Sequence, residues 1–258
     1  MAEFDGAWKL PLTELTLPHD EVHVWRASLD QPPSFVEQLG QTLSADERTR
    51  AERFYFTHDR QRFIICRGFL RSILGRYMGI EPEQAQFCSG PYGKLALAET
   101  RPTVKVTHTT AAPWDDNTLR FNVSHSQALA LYAFTRGREI GVDLEYIRPV
   151  EGAEQIAERY FSVQESCILR NLPPNKRDEQ FLLYWTRKEA YLKACGDGLT
   201  GLESMRTQTY NSLVPTGWFI QHLTPTPGYV AALAVQDQLT IRIAPPRLVY
   251  WQWVSPEK

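Results

Sequence analysis

The feature that most constrains the fold of this 258-residue chain is the order of its predicted elements. They run strand, helix and strands, and then helices and strands again. A similar aromatic and basic tripeptide precedes each of the two long helical segments, at 53–55 (RFY) and at 159–161 (RYF), which is consistent with an internal duplication. The sequence therefore predicts an α+β chain of two similar halves, 1–138 and 139–258.

Two helical features define the first half. Ser44 and Glu47 have the spacing of a capping box, which predicts the start of a helix. The stretch 48–77 is rich in arginine and has apolar groups at helical spacing, among them the aliphatic stem of Arg67. Gly79 is suited to end this helical stretch.

The remaining segments are assigned from their composition and alternation. Residues 89–118 are rich in Gly, Pro, Thr and Asp, which predicts mostly loop. The segments 129–135 and 139–145 predict a hairpin around a turn at 136–138. The other predicted elements are strands at 22–26, 119–123, 217–223, 229–235 and 239–243, helices at 156–161 and 178–195, and an aromatic tail at 250–253.

Composition and charge exclude several classes of protein. The chain has 30 acidic and 28 basic residues, a balance that argues against a general nucleic-acid binder. No apolar run approaches the ~18 residues of a membrane span, and the acidic first residues lack the apolar core of a secretory signal. The four cysteines form no C-x-x-C motif, so we expect neither a disulfide framework nor a zinc site, and a reducing cytoplasm is the expected compartment.

Two carboxylates share one face of a predicted strand in the segment 141–145 (GVDLE). Side chains two residues apart on a strand point the same way, so Asp143 and Glu145 lie together. Their mutual repulsion is relieved if a hard divalent cation binds between them. An ordinary half-buried strand shows the same alternation, so this segment alone fits either a metal site or a solvated face.

The segment 185–193 (WTRKEAYLK) places a carboxylate and a lysine one helical turn apart. Glu189 and Lys193 are four residues apart and are therefore neighbours on the helix surface. The carboxylate can act as a metal ligand or a base, and the lysine can neutralise a phosphate. The same order of residues also forms an ordinary surface ion pair, worth about 0.2–0.5 kcal/mol.

A predicted strand end and a turn add further polar groups. Residues 121–126 (FNVSHS) include Ser124 and His125, which point to opposite faces of a strand, so the histidine is badly placed to activate the serine as a nucleophile. Hydrogen bonds from these two residues to a phosphate are easier to satisfy. The turn at 90–94 (GPYGK) presents Lys94 but lacks the pattern of a P-loop. A structural histidine and a simple turn remain the alternatives.

Taken together, these segments supply three carboxylates, two lysines, a histidine and an arginine-rich helix. Such a set suits a magnesium-dependent phosphoryl or pyrophosphate site, where catalysis consists mainly of positioning and charge neutralisation. Each group has an ordinary structural explanation when it is considered alone. Their combination favours the phosphate site.

The order of the segments resembles that of the 4′-phosphopantetheinyl transferases of the Sfp type. These enzymes transfer phosphopantetheine from coenzyme A to a serine of an acyl or peptidyl carrier protein. The family fold implies two α/β halves related by a pseudo-two-fold axis, with coenzyme A in the cleft between them. The resemblance extends from about position 44 to position 202 and rests on the segments 53–63, 93–94, 121–126, 141–145 and 185–193.

The resemblance implies a role for each matching residue. The implied magnesium ligands are Asp143, Glu145 and Glu189, and the implied catalytic residues are Glu189 and Lys193. Glu165 matches an acidic position whose role stays open. The residues at coenzyme A-binding positions are Arg50, Arg62, Lys94, Ser124, His125 and Lys193. The phosphate-binding residues then belong mainly to the N-terminal half, and the magnesium and catalytic residues belong to the C-terminal half.

The implied reaction requires Mg²⁺ and releases 3′,5′-ADP. Mg²⁺ offsets the charge that develops on the pyrophosphate of coenzyme A. Glu189 takes the proton of the carrier serine, directly or through water, and Lys193 stabilises or protonates the leaving 3′,5′-ADP. We expect a cytoplasmic monomer whose partners are coenzyme A and an apo carrier protein, with no nucleic acid and no membrane.

The chain departs from the family pattern at three positions. Glu47 stands where some members have a lysine near the 3′-phosphate of coenzyme A, so Arg48 and Arg50 are the candidates to cover that charge. Phe63 stands in place of a threonine, and Leu95 in place of a proline.

Two other functions would use the same residues. A magnesium-dependent nucleotide pyrophosphatase would cleave coenzyme A with water as the nucleophile and would need no acceptor. A non-catalytic module that binds coenzyme A or a carrier protein would be favoured by the loss of a metal ligand, whereas all three carboxylates are present here.

Overall fold

A computed structural model of the chain describes residues 8–11, 15–90, 92–98, 117–196, 215–237 and 245–254. None of the helices in these ranges is long and apolar enough to cross a membrane. The elements follow in the order β1 (Glu21–Ser28), α1 (Pro33–Thr42), α2 (Ala45–Glu52), α3 (Thr57–Met78), a 3-10 turn (Pro82–Gln84), β2 (Phe87–Ser89), β3 (Leu95–Leu97), β4 (Leu119–Ser126), β5 (Leu129–Arg136), β6 (Ile140–Tyr146), α4 (Ala153–Tyr160), α5 (Val163–Asn171), α6 (Pro174–Cys195), β7 (Trp218–Leu223), β8 (Tyr229–Gln236) and β9 (Arg247–Gln252).

The first sheet has four strands in the order β4-β5-β1-β9. β5 is antiparallel to both β4 and β1, whereas β9 is parallel to β1. The buried side of this sheet packs on α3 through large side chains such as Trp25, Phe69 and Tyr132. β9 belongs by sequence to the predicted C-terminal half, yet it completes the sheet of the N-terminal half.

The second sheet has three antiparallel strands in the order β6-β8-β7, and α6 packs against it through small residues that include Ala190 and Ala232. In both halves a strand leads to a 22-residue helix and then to a hairpin, and the second hairpin strand pairs with the first strand. The N-terminal order β4-β5-β1 therefore corresponds to the C-terminal order β7-β8-β6. The predicted α+β chain of two similar halves is confirmed.

The prediction of a hairpin between 129–135 and 139–145 is wrong, because the two segments pair with other strands. β5 forms its hairpin with β4, and β6 pairs with β8 in the other sheet. The turn at 136–138 connects the two sheets instead. Every residue of β5 except Arg136 is buried, because one face of this central strand packs towards α3 and the other face packs against β6 and β8.

The helix ends follow local signals. Ser44 and Glu47 form the predicted capping box of α2, and Gly79 ends α3 with a left-handed φ of 67°, as expected. The arginine-rich stretch 48–77 contains two helices, since α2 ends before α3 begins. The sequence analysis missed α5, which begins at a second capping box.

Some predicted segments fall near or beyond the described ranges. The predicted loop 89–118 includes the short strand β3, which pairs with β2. Residues 99–116 of that loop and the predicted strand 239–243 lie outside the described residues.

The two capping boxes also connect to the long helices by buried ion pairs. In the N-terminal half, Glu47 accepts a hydrogen bond from Arg71 of α3 at 2.7 Å. In the C-terminal half, Glu165 lies 3.1 Å from the ammonium nitrogen of Lys188 on α6. Glu165 therefore caps α5 and fixes α5 to α6, which is a structural role that the sequence left open.

Loss of one partner of the Glu165–Lys188 pair should destabilise the fold strongly. Lys188→Met leaves the Glu165 carboxylate buried without a counter-ion, and such a change costs about 3–5 kcal/mol. Adding Glu165→Gln to this variant should recover much of the loss, because no buried charge then remains. Urea denaturation measures both changes.

The exposed pair of Arg170 and Glu158 provides a matched control, since both side chains are largely accessible to solvent. Arg170→Met should cost less than about 1 kcal/mol. A Lys188→Met protein as stable as Arg170→Met would contradict the structural role of the buried pair.

Candidate active site

The two sheets meet where β4 lies beside β6. The backbone N–H of Val142 donates to Asn122 Oδ1 at 2.9 Å, and the backbone N–H of Tyr146 donates to Ser126 Oγ at 3.1 Å. Side chains of β4 thus bind the backbone of β6, although the two strands belong to different sheets. This junction brings the FNVSHS and GVDLE segments together.

A buried polar cluster lies at this junction. Asp143 Oδ1 accepts hydrogen bonds from Ser124 Oγ at 3.0 Å and from Lys193 Nζ at 2.6 Å. Lys193 Nζ also donates to Ser124 Oγ at 3.0 Å. The lysine of α6 therefore pairs with the carboxylate of β6, rather than forming only a surface pair with Glu189 on its own helix.

The other two predicted carboxylates lie close enough to interact with this cluster. Burial, and after it the negative charge of Asp143, raises the pKa of Glu145. The same two causes, in the same order, raise the pKa of Glu189. Glu145 is held in place by Ser126 Oγ, which donates to it at 3.2 Å.

The carboxylates suit Mg²⁺ as a set of hard oxygen donors. Asp143 is only 5% exposed, and its Oδ2 is buried without a hydrogen-bond partner among the described residues. Within those same residues, no three carboxylate, imidazole or thiol groups are gathered closely enough to hold an ion by themselves. Mg²⁺ usually takes one or two carboxylates together with substrate phosphates and water, so the residues fit an ion that arrives with a phosphate ligand.

A cleft of about 540 Å³ opens beside the cluster. Arg50, Phe63 and Arg67 line it from the N-terminal half, and Glu189 and Lys193 line it from the C-terminal half. The cleft therefore places basic groups of α2 and α3 in the same space as the carboxylate and lysine of α6.

The predicted coenzyme A-binding residues are not all on the cleft wall. Arg50, Lys94, His125 and Lys193 line the cleft. Ser124 is buried beside it, where it binds Asp143 and Lys193. Arg62 lines a separate hollow, with its guanidinium 3.4 Å from Asp30.

Lys94 and His125 differ in how their charge is compensated. Lys94 Nζ donates at 2.7 Å to Glu139 and at 2.7 Å to the backbone carbonyl of Ala194 at the end of α6. His125 is accessible to solvent at the cleft wall, and the surrounding protein desolvates it in part. This desolvation, and after it the nearby charge of Lys193, lowers the pKa of His125 and so favours its neutral form. Lys94 joins the two halves at the end of α6, and His125 lies near Lys193.

The sequence analysis missed Arg67 as a group of the site. Only its stem was expected to contribute, as part of the apolar face of α3. In the structure its guanidinium lies at the cleft wall, over the rings of Phe63 and Phe87. The available signal was an arginine in the middle of an apolar helical stripe, next to Phe63.

Comparisons with known proteins show the family to which the chain belongs. Residues 139–234 match the family described as the 4′-phosphopantetheinyl transferase superfamily, and residues 23–136 match the family described as 4′-phosphopantetheinyl transferase, N-terminal. The chain is 44% identical over 233 residues to 4′-phosphopantetheinyl transferase HetI of Nostoc sp., with 88% of this chain and 93% of the relative covered. The chain belongs to the 4′-phosphopantetheinyl transferase superfamily.

Other 4′-phosphopantetheinyl transferases are similar over a shorter span. Putative 4′-phosphopantetheinyl transferase slr0495 of Synechocystis sp. is 36% identical over 178 residues, which cover 69% of this chain and 66% of the relative. 4′-phosphopantetheinyl transferase Sfp of Bacillus subtilis is 27% identical over 174 residues, which cover 67% of this chain and 69% of the relative. The predicted resemblance to this family of transferases is thus confirmed.

Proposed function

We propose that this chain transfers the 4′-phosphopantetheine group of coenzyme A to a serine of an apo acyl or peptidyl carrier protein and releases 3′,5′-ADP. One observation supports the proposal most strongly. A cleft lined by arginines ends at a buried cluster in which Lys193 and Ser124 hold Asp143, with Glu189 on the cleft wall. Such a cleft fits a substrate with several phosphates, and the cluster fits the place where one of them reacts.

The magnesium dependence is part of this proposal. Asp143, Glu145 and Glu189 would hold the ion, as their donor chemistry and the unpartnered Oδ2 of Asp143 allow. When bound, Mg²⁺ offsets negative charge on the pyrophosphate of coenzyme A.

Glu189 is the proposed general base. It faces the cleft and can accept the proton of a serine that approaches from a carrier protein. Because the carrier supplies the nucleophile, Ser124 is free to position Asp143 and Lys193.

Lys193 is the proposed group that stabilises the departing 3′,5′-ADP. Its ammonium is held by Asp143 and Ser124 at the cleft wall, so it is positioned before the reaction begins. A preorganised cation beside developing negative charge lowers the barrier, because it need not reorganise during the reaction.

Lys193→Ala should therefore lower kcat for carrier modification by about 100-fold, while the KM for the carrier changes little. Lys193→Arg should recover only part of this loss, since it keeps the charge but not the geometry. Single-turnover kinetics and thermal melts measure rate and stability separately. If the chemical step of Lys193→Ala proceeds at the wild-type rate, Lys193 has only a structural role.

We also propose that the chain works as a monomer in the cytoplasm. Both walls of the cleft come from one chain, so a single copy can complete the site. None of the four cysteines, all of which lie in the described ranges, forms a disulfide, which suits a reducing compartment.

Mass measurement of an apo carrier protein tests the transfer directly. The carrier, coenzyme A and Mg²⁺ are incubated with the protein, and a carrier with serine replaced by alanine is the control. We expect the mass of phosphopantetheine to be added only to the carrier that has its serine. An unchanged carrier together with cleaved coenzyme A would support a pyrophosphatase, and an unchanged carrier with intact coenzyme A would support a binding module.

A further inference from the structure

Two serines of β4 each bind one carboxylate of β6. Ser124 and Ser126 are two residues apart on a strand, so their side chains lie on the same face of β4. Ser124 Oγ donates to Asp143 Oδ1 at 3.0 Å. Ser126 Oγ donates to Glu145 Oε2 at 3.2 Å. The two carboxylates have the same two-residue spacing on β6, so each of them has a serine of its own.

The backbone of β6 fixes the direction of the bond from Ser126. The backbone N–H of Tyr146 donates to Ser126 Oγ at 3.1 Å, which occupies a lone pair of the hydroxyl. An ionised carboxylate only accepts hydrogen bonds, so the single proton of Ser126 points to Glu145. Ser126 therefore holds the side chain of Glu145 against the backbone of the residue that follows it.

The turn that follows Ser126 is held in a conformation that residues with side chains rarely adopt. Ser126 is the last residue of β4 and pairs with Leu129 of β5 across a two-residue turn. Gln127 in this turn has a φ of 50°, and it is the only residue other than glycine with a positive φ in the described ranges. Such a conformation costs on the order of 1 kcal/mol or more and persists where the surrounding structure imposes it. The position of Ser126 is therefore set by the fold of the hairpin.

Each carboxylate uses one oxygen for these bonds and leaves the other free. Asp143 Oδ1 accepts from Ser124 and also from Lys193 Nζ at 2.6 Å, so both of its lone pairs are occupied. Asp143 Oδ2 is buried and has no hydrogen-bond partner among the described residues. Ser126 occupies Oε2 of Glu145, and no described residue donates a hydrogen bond to Oε1.

Hydrogen bonds decide which oxygen of a carboxylate suits a cation. The donated hydrogens carry partial positive charge and occupy the lone pairs that a metal ion would use, so the other oxygen is the better ligand. A buried oxygen without a partner costs about 1–3 kcal/mol, which a bound cation offsets. On the basis of the proposed function, we propose that Mg²⁺ binds Asp143 through Oδ2 and Glu145 through Oε1, and that Ser126 is a positioning residue that turns Glu145 into this orientation. Ser126, which the sequence analysis left without a role, acts on the ion only through Glu145.

Mn²⁺ binding to the protein with coenzyme A, in the absence of a carrier, tests the role of Ser126. Electron paramagnetic resonance detects free Mn²⁺ and so gives the Kd. Ser126→Ala should raise this Kd by at least about 10-fold, the lower end of the effect of losing a hydrogen bond that orients a metal ligand. Ser126→Thr keeps the hydroxyl and should bind Mn²⁺ as tightly as wild type. The fold of Ser126→Ala should survive, because Tyr146 is exposed and water can replace the lost acceptor.

Ser72→Ala is the matched control. It removes a serine hydroxyl that donates to the carbonyl of Gly68 at 2.9 Å within α3. Its Kd for Mn²⁺ should equal that of wild type. If Ser126 only stabilised the fold, thermal melts of Ser126→Ala would show a lower Tm while the folded protein kept its affinity for Mn²⁺. Equal Kd values for Ser126→Ala and Ser72→Ala would therefore overturn the role of Ser126.

A crystal structure with Mn²⁺ and coenzyme A tests the choice of oxygen atoms, because anomalous scattering locates the ion. We expect the ion beside Asp143 Oδ2 and Glu145 Oε1. The hydroxyls of Ser124 and Ser126 should still be bonded to the other two oxygens. An ion at Asp143 Oδ1 or at Glu145 Oε2 would contradict the assignment.

These results are separable from the test of the proposed function, because neither measurement involves transfer. A wild-type protein that binds Mn²⁺ as expected but modifies no carrier would leave the inference standing and refute the transfer. A protein that modifies its carrier while Ser126→Ala keeps the wild-type Kd would refute the inference alone. A wild-type protein that binds no Mn²⁺ would refute the inference together with the magnesium dependence.

Discussion

Alanine at Asp143, Glu145 or Glu189 should lower the rate of carrier modification by at least ~100-fold in each case. Each change removes a carboxylate from the group that is proposed to hold Mg²⁺, and Glu189→Ala also removes the proposed base. The fold should survive, because neighbouring carboxylates repel each other and Lys193 lies partly in solvent, where it can be hydrated.

Carrier modification assays at saturating Mg²⁺, together with thermal melts, measure the two effects. Glu158→Ala is the control, since Glu158 is an exposed carboxylate on α4 that pairs only at the surface. Its activity should equal that of wild type. Near-normal activity of purified, folded Asp143→Ala would refute the role of this cluster in metal binding.

Gly141→Ala should destabilise the protein by about 3 kcal/mol or more. A Cβ at this position would lie 2.0 Å from the carbonyl oxygen of Ala190 and 2.5 Å from the backbone nitrogen of Ala194. Both atoms belong to the backbone of α6, so no side chain can turn away to make room. The helix must move, and Glu189 and Lys193 move with it.

Gly40→Ala is a matched control inside α1. A Cβ there meets only Ile64 Cγ2, at an ordinary 3.7 Å, so alanine should be neutral or stabilising by up to about 1 kcal/mol. Chemical denaturation compares the two variants. Equal stability of Gly141→Ala and Gly40→Ala would contradict the close approach of β6 to α6.

Local spacing predicted the features that depend on neighbouring residues. The capping box at Ser44 and Glu47 and the end of α3 at Gly79 follow from backbone groups within one helical turn. The common face of Asp143 and Glu145 follows from the period of a strand. These features need no information about distant parts of the chain.

The pairing of strands and side chains from distant segments could not be predicted from local spacing. β5 and β6 have the composition of strands, but the choice of β4 as the partner of β5 depends on how the two sheets pack. β9 joins β1 although more than 200 positions separate them in the sequence. Lys193 pairs with Asp143 of another element because α6 crosses β6, whereas the sequence offered only the neighbour Glu189.

Release of 3′,5′-ADP, measured with and without an apo carrier protein, tests the central claim most directly. Coenzyme A and Mg²⁺ are supplied in both cases, and the carrier is also weighed. The account predicts one 3′,5′-ADP released for each carrier modified, and none when the carrier is absent or lacks its serine. Release of 3′,5′-ADP at the same rate without a carrier would contradict it, since the site would then transfer the phosphopantetheine group to water.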